Sequence, residues 1–360
     1  MISNKQSSSE KKIRVGISIG DFNGVGLEVI IKTFLDSRLM EDCTPIVYGS
    51  SALAKEYRKA LNILDFSFNS IADANDANSK KVNLVEVWKE EAEITFGEST
   101  QQAGKFSFLS LQEATHDLAS NKIDVLVTAP INKNNIQSED FDFPGHTEYL
   151  ADYANVETPL MLLIAGDLRV GTLTGHIPIK DVAENLYHDE IVTKLKIFEK
   201  TLKQDFCITK PKIAVLGLNP HNGDNGTIGT EELEIIIPAI NEAVSNGILA
   251  FGPFASDGFF GSPAYKKFDG ILSMYHDQGL TPFKAISFDE GVNFTAGLPI
   301  VRTSPDHGTA YDIAGKGIAS ELSFRNAIYV AIDVYKNRQD FKELSSNPLK
   351  IKKARTSKNE

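Results

Sequence analysis

His176, His221 and His276 each lie just past a short apolar run, in the contexts LRVGTLTGH, KIAVLGLNPH and GILSMYH. An apolar, β-branched segment that stops at a polar residue reads as a buried strand reaching the rim of a parallel sheet, where α/β proteins gather ligands. Three imidazoles delivered to one rim could hold a divalent ion such as zinc, cobalt or iron. Three protein ligands leave coordination positions open, the pattern of a catalytic rather than a structural metal site. Any single one of these histidines could instead only cap its strand. The repetition of the context favours the metal.

Anion chemistry gathers between His276 and Arg302. The segment YHDQGLTPFKAISFDEGVNFTAGLPIVRTS carries Asp277, Lys284, Asn293 and Arg302, in apolar stretches too short to predict a helix of their own. Lys284 as a point charge and Arg302 as a two-pronged fork suit a carboxylate or a phosphate. Upstream, FPGHTEYLADYA (143–154) begins a helix after Pro144 and Gly145, with His146 and Thr147 at its positive end. The bland reading there is an ordinary N-cap by Thr147.

Three glycine-rich stretches follow. GDFNGVG (20–26) sits where a phosphate-binding turn would sit, but it has neither the GxGxxG spacing nor a terminal GK[ST], and Asp21 would repel a phosphate. A tight structural turn and a substrate-pocket role both stay open. NPHNGDNGTIG (219–229) surrounds His221 with turn formers. HGTAYDIAGKG (307–317) brings small residues ahead of the last helix, where backbone could lie close to a flat adenine or ribose.

The elements that must position these residues alternate between strand and helix. Strands are predicted at 13–20, 44–50, 82–88 and 122–130, helices at 26–37, 51–62 and 100–120. Phe106, Leu109, Leu111 and Leu118 form the packing stripe of the 100–120 helix. The runs 159–166 and 168–175 are separated by little more than Asp167, which predicts a hairpin and so a mixed sheet. A helix over 228–247 and a last helix near 317–338 complete the pattern, with an untied tail after 340. The expected division is 1–130 plus 303–340, 131–302, and the tail 341–360.

Composition agrees with an enzyme of small molecules. A chain of 360 residues with 42% hydrophobic and 24% charged residues has ample material for a core. A net charge of −11 argues against a nucleic-acid surface, the basic stretch Lys350–Lys358 reading as a solvated terminus. Cys43 and Cys207 form no CxxC pair, so a disulfide framework and a thiolate metal site are not expected. No run approaches a membrane span, and the start, MISNKQSSSEKK, is polar where a signal peptide would be apolar, so a cytoplasmic location is expected.

At this point the chain resembles a known family. GDFNGVGLE, TAPINK, FPGHTEYLA, GHIPI, GLNPHNGDNG, MYHDQGL, FDEGVNFTAGLP and RTSPDHGTAYDIAGKG, in that order between about residues 13 and 335, are similar to the 4-hydroxythreonine-4-phosphate dehydrogenases of pyridoxal phosphate biosynthesis. The resemblance implies an α/β/α fold of two domains with a mixed sheet, like that of isocitrate and isopropylmalate dehydrogenases, and a nucleotide bound outside a Rossmann motif. It implies metal ligation by His176, His221 and His276, shared across a homodimer interface, with an acidic residue, Asp257, beside the metal and Lys284 in catalysis. Substrate contacts fall on His146, Thr147, Lys284, Asn293 and Arg302, and cofactor contacts on His307, Gly308, Thr309, Ala310 and Asp312.

The implied reaction is NAD- or NADP-linked oxidation of 4-phosphooxy-L-threonine, aided by a divalent metal (zinc, magnesium or cobalt), to a β-keto acid that loses carbon dioxide and gives 3-amino-2-oxopropyl phosphate. Oxidation of 4-phosphothreonate or 4-phosphoerythronate in sugar-acid catabolism is the alternative. A metal hydrolase or aldolase would use three histidines but not HGTAYDIAGKG, and a non-catalytic metal-binding protein would need neither Lys284 nor Arg302. The chain departs from the family pattern in GDFNG for the usual GDPAG, and at Gly175, Thr227 and Thr230. None of these departures removes an expected ligand.

Overall fold

The computed structural model describes residues 12–347, so the polar N-terminal stretch and the basic stretch from Lys350 lie outside the described residues. Twelve strands share one sheet: β1 (Ile13–Ser18), β2 (Cys43–Gly49), β3 (Asn69–Ile71), β4 (Asn83–Glu86), β5 (Val125–Thr128), β6 (Leu160–Ala165), β7 (Leu168–Thr172), β8 (Lys212–Leu216), β9 (Leu249–Phe254), β10 (Gly270–Ser273), β11 (Val292–Ala296) and β12 (Arg302–Pro305). Their order is β3-β4-β2-β1-β5-β12-β11-β6-β7-β10-β8-β9. β2 and β5 are buried at every residue, as expected of strands covered by helices on both faces.

Direction along the sheet decides where a site can form. β1, β2, β5 and β12 run parallel, while β12–β11, β11–β6 and β6–β7 are each antiparallel. Three reversals leave β7, and with it β10 and β8, running opposite to β5 and β12. The expected hairpin is β6–β7, paired from Ala165↔Leu168 to Leu162↔Gly171. The α/β class and mixed sheet expected from the sequence are thus present.

Helices cover the sheet through apolar stripes. In Gln101–Ala119, Phe106, Leu111, Ala114 and Leu118 are buried, and the Thr100 side chain accepts from Ala103 N–H at 3.2 Å to cap the first turn. Phe106 stacks on Trp88 with ring centroids 4.5 Å apart. Burial of Phe106, Leu111 or Leu118 contributes roughly 1.5–3 kcal/mol each.

Two elements that bear on the site and its C-terminal cover differ from the sequence expectation. His276–Ser287 is a helix, where the apolar stretches predicted none; Gly279 and Pro282 interrupt its stripe, yet Leu280 and Phe283 still bury one face. The last helix runs from Leu322 to Ser345, beyond 340, although residues 341–347 are exposed. Among the described residues no helix is long and apolar enough to cross a membrane. Cys43 and Cys207 are both free thiols.

Candidate active site

The antiparallel middle of the sheet sets out the floor of a cavity of about 260 Å³. Residues two apart on a strand share a face. Arg302 and Ser304 of β12 therefore lie together, Ser304 pairs with Asn293 of β11, and Asn293 pairs with Leu163 of β6. All four line the cavity. Thr128 and Ala129 reach it from the end of β5, and His176 and His276 from beyond the ends of β7 and β10.

Arg302 is 2% exposed, and its partners are hydroxyls. Nη2 and Nε donate to Thr128 Oγ1 at 2.6 and 3.1 Å, and Nη1 donates to Thr295 Oγ1 at 3.3 Å. Burial pulls its pKa down to about 10, against the opposing field of Glu148. A guanidinium held out of water without a bonded carboxylate is poised for an anion. Lys284 stands on the same cavity, its Nζ 3.2 Å from Asp306 Oδ1 and donating to the Asp306 carbonyl at 3.1 Å. Burial pushes the Asp306 carboxyl up, and the Lys284 charge works against that.

The helix His146–Tyr153 starts at the cavity wall. Its N-cap is Gly145, not Thr147, and its first backbone bond runs from Tyr149 N–H to the Gly145 carbonyl. The amides of His146, Thr147 and Glu148 thus lack an intrahelical acceptor at a positive helix end. Burial first, then the charges of Arg302 and Lys133, hold the His146 imidazole well below its usual pKa. Its Nε2 is buried without a hydrogen-bond partner, as is Asn293 Oδ1. Two orphaned polar atoms on one cavity wall fit a polar ligand.

The imidazoles divide. The rings of His176 and His276 lie 5.5 Å apart, centroid to centroid. Asp277 Oδ1 sits 2.7 Å from His276 Nδ1, which leaves Nε2 of that ring free, the carboxylate–histidine arrangement found behind metal ligands. His176 Nε2 is 3.3 Å from Lys133 Nζ, and burial lowers the His176 pKa, with the Lys133 charge adding to it. His221 does not join them. β8 does end on the same edge as β7 and β10, but residues 221–225 all have positive φ, and this left-handed run turns His221 into a separate cavity of about 700 Å³. Asp257 and Asp277 line that cavity too. Among the described residues no three His, Cys, Asp or Glu side chains of one chain form a group that could hold a metal.

A cavity of about 220 Å³ adjoins the first and shares Lys284, Asp306 and His307 with it. Val25, Ala310, Ile313 and Ala319 supply apolar walls suited to a flat ring. Burial lowers the His307 pKa, and its Nε2 is unpartnered. Of the expected cofactor residues, His307 and Ala310 line this cavity and Gly308 lines the first. Thr309 and Asp312 line neither: the Thr309 carbonyl accepts from Val25 N–H at 3.0 Å, and Asp312 is exposed.

Lys133, Thr128 and Glu148 belong to the first cavity and escape the sequence reading as site residues. Lys133 ends TAPINK, just past the Pro130 that stops a strand, and that placement is the signal that could have found it.

Comparison with known proteins comes to the same family as the motifs. The family model described as pyridoxal phosphate biosynthetic protein PdxA matches residues 41–331. The 4-hydroxythreonine-4-phosphate dehydrogenase of Bacteroides thetaiotaomicron is 53% identical over 342 residues, 95% of this chain and 94% of that protein. A protein of Oceanobacillus iheyensis provisionally named D-threonate 4-phosphate dehydrogenase is 38% identical, over 90% of this chain and 98% of its own. The crystal structure of 4-hydroxythreonine-4-phosphate dehydrogenase from Klebsiella pneumoniae superposes with a TM-score of 0.78 at 31% identity, covering 92% of this chain and 99% of that one.

Proposed function

The chain belongs to the family of the pyridoxal phosphate biosynthetic protein PdxA, and on that footing we propose that it oxidises 4-phosphooxy-L-threonine with NAD or NADP and a divalent metal. The product is a β-keto acid that decarboxylates to 3-amino-2-oxopropyl phosphate. The observation that carries this reading is the buried Arg302, bonded only to hydroxyls, in one cavity with Lys284 and the orphaned His146 Nε2.

His176 and His276, with rings 5.5 Å apart and Nε2 of His276 free, fit a metal such as zinc, magnesium or cobalt, and His221, with Asp257 nearby, is held apart as if for a second copy of the chain. When bound, the ion would supply Lewis acidity toward the substrate hydroxyl and the dinucleotide would supply a hydride acceptor. Arg302 and Lys284 bind the anionic groups of the substrate. His146, kept neutral, offers Nε2 to the ligand, and the free amides of Thr147 and Glu148 add donors. Asp277 fixes the ring of His276 so that the same nitrogen always faces the cavity. Asp306 steadies the Lys284 ammonium. The reading includes a homodimer with shared sites and a cytoplasmic location.

The test is direct. Protein supplied with a divalent metal, NAD or NADP, and 4-phosphooxy-L-threonine should generate the reduced-nicotinamide absorbance band together with carbon dioxide. A metal hydrolase or aldolase would give no such band, and its absence with every metal and both cofactors would refute the reading.

A further inference from the structure

GDFNGVGLE is singled out by the sequence and left without a role by the site residues. Its contacts give it one. The turn grips the HGTAYDIAGKG loop at both ends: Val25 N–H donates to the Thr309 carbonyl at 3.0 Å, and Glu28 Oε1 accepts from Ala319 N–H at 2.9 Å. Lys32 donates to the Gly317 and Ala319 carbonyls at 2.8 Å each. A side chain at Gly24 would place its Cβ 2.5 Å from the Thr309 carbonyl oxygen, so the two backbones touch. Phe22 is fully buried, and Asn23, which replaces the family's usual Ala, spends its amide on Thr95, Glu98 and Thr100. These departures therefore face the core and a neighbouring loop rather than either cavity.

Asp21 alone reaches both ways. It is fully buried. Its Oδ2 accepts from Asn135 Nδ2 at 2.7 Å and from Tyr311 Oη at 2.7 Å, and its Oδ1 accepts from Asn23 N–H at 2.9 Å. Its own N–H donates to the Pro130 carbonyl at 2.8 Å. Asn135 lies two residues beyond Lys133, in the loop that walls the first cavity. Tyr311 follows Ala310, which walls the second. One carboxylate oxygen thus receives a hydrogen bond from each loop, and such charge-assisted bonds are among the stronger ones available.

We propose that Asp21 is a positioning residue that fixes the substrate-side loop, 130–136, relative to the cofactor-side loop, 307–317. It touches no reacting atom. It sets the separation across which hydride must pass, a distance to which rates are steeply sensitive. The proposal rests on the functional reading above, since it needs a dinucleotide at the second cavity.

The experiment compares wild type with Tyr311→Phe, Asn135→Ala and Asp21→Asn, measuring kcat, both KM values, dinucleotide dissociation constants by thermal shift with NAD and NADP, and urea midpoints. Tyr311→Phe should weaken dinucleotide binding about tenfold with the KM of the phosphorylated substrate within about twofold, the size expected for one lost bond to a charged group. Asn135→Ala should do the reverse. Asp21→Asn should move both and also lower kcat. If Tyr311→Phe and Asn135→Ala fold with near-wild-type urea midpoints and leave both constants unchanged, the proposal is overturned, whatever happens to Asp21→Asn. Wild-type protein that binds neither dinucleotide would overturn the functional reading itself, and this proposal with it.

Discussion

The guanidinium of Arg302 rests on the hydroxyl of Thr128, with Nη2 and Nε 2.6 and 3.1 Å from Oγ1, and among the described residues it forms no ion pair. A buried charge without a counter-ion costs stability in the free protein and is repaid only when an anion arrives. Arg302→Met should therefore raise substrate KM by about 100-fold, the scale of a lost bidentate charge pair, while the urea midpoint of the ligand-free protein holds or rises. A variant with unchanged KM and a much lower midpoint would make Arg302 a structural residue.

The imidazoles give a second prediction. His176→Ala and His276→Ala should each abolish turnover with the fold intact, and a chelator should do the same reversibly to the unmodified protein. Full activity in metal-free protein would contradict the metal assignment.

His221 faces a cavity away from His176 and His276. If a second copy of the chain brings its own His221 to them, mixing inactive His221→Ala with inactive His276→Ala protein should restore part of the activity, because some mixed dimers rebuild one whole site. No recovery after verified subunit exchange would remove the shared site from the account.

His146 and His307 predict the direction of acid sensitivity. Both imidazoles have pKa values lowered by burial from the ordinary 6.5. Below about 6.5 the unfolded chain binds protons that the folded chain refuses, so their contribution to stability is present at neutral pH and is lost as pH falls. Urea midpoints should drop between about pH 7.5 and about pH 5.5, and His146→Gln should flatten that slope. A slope unchanged in His146→Gln would assign the acid sensitivity elsewhere. Asp306, whose pKa is raised, acts in the opposite sense at lower pH.

How much of this was legible beforehand depended on how local each signal is. The β6–β7 hairpin follows from two apolar runs meeting at Asp167, a contact between neighbours in sequence. The anion residues were legible by type, but their convergence depends on the pairing of neighbours Asn293↔Ser304 and on Asn293↔Leu163, which joins segments more than a hundred residues apart. The helix His276–Ser287 hid behind Gly279 and Pro282, since packing of Leu280 and Phe283 overrides their poor propensity. His221 was legible as a histidine past a strand end, whereas the left-handed run that turns it away is written in backbone angles that the composition NPHNGDNG only permits. Lys133 and Asp21 act through loops whose partners lie far along the chain.

Substrate choice is decided by kcat/KM with NAD and a divalent metal for 4-phosphooxy-L-threonine, 4-phosphothreonate and 4-phosphoerythronate. The amino acid should be preferred by about two orders of magnitude or more, because a site built to pair with an amine leaves buried polar groups unmatched when a hydroxyl replaces it. Faster turnover of 4-phosphothreonate would contradict that substrate assignment, and no hydride transfer from any of the three would contradict the reaction itself.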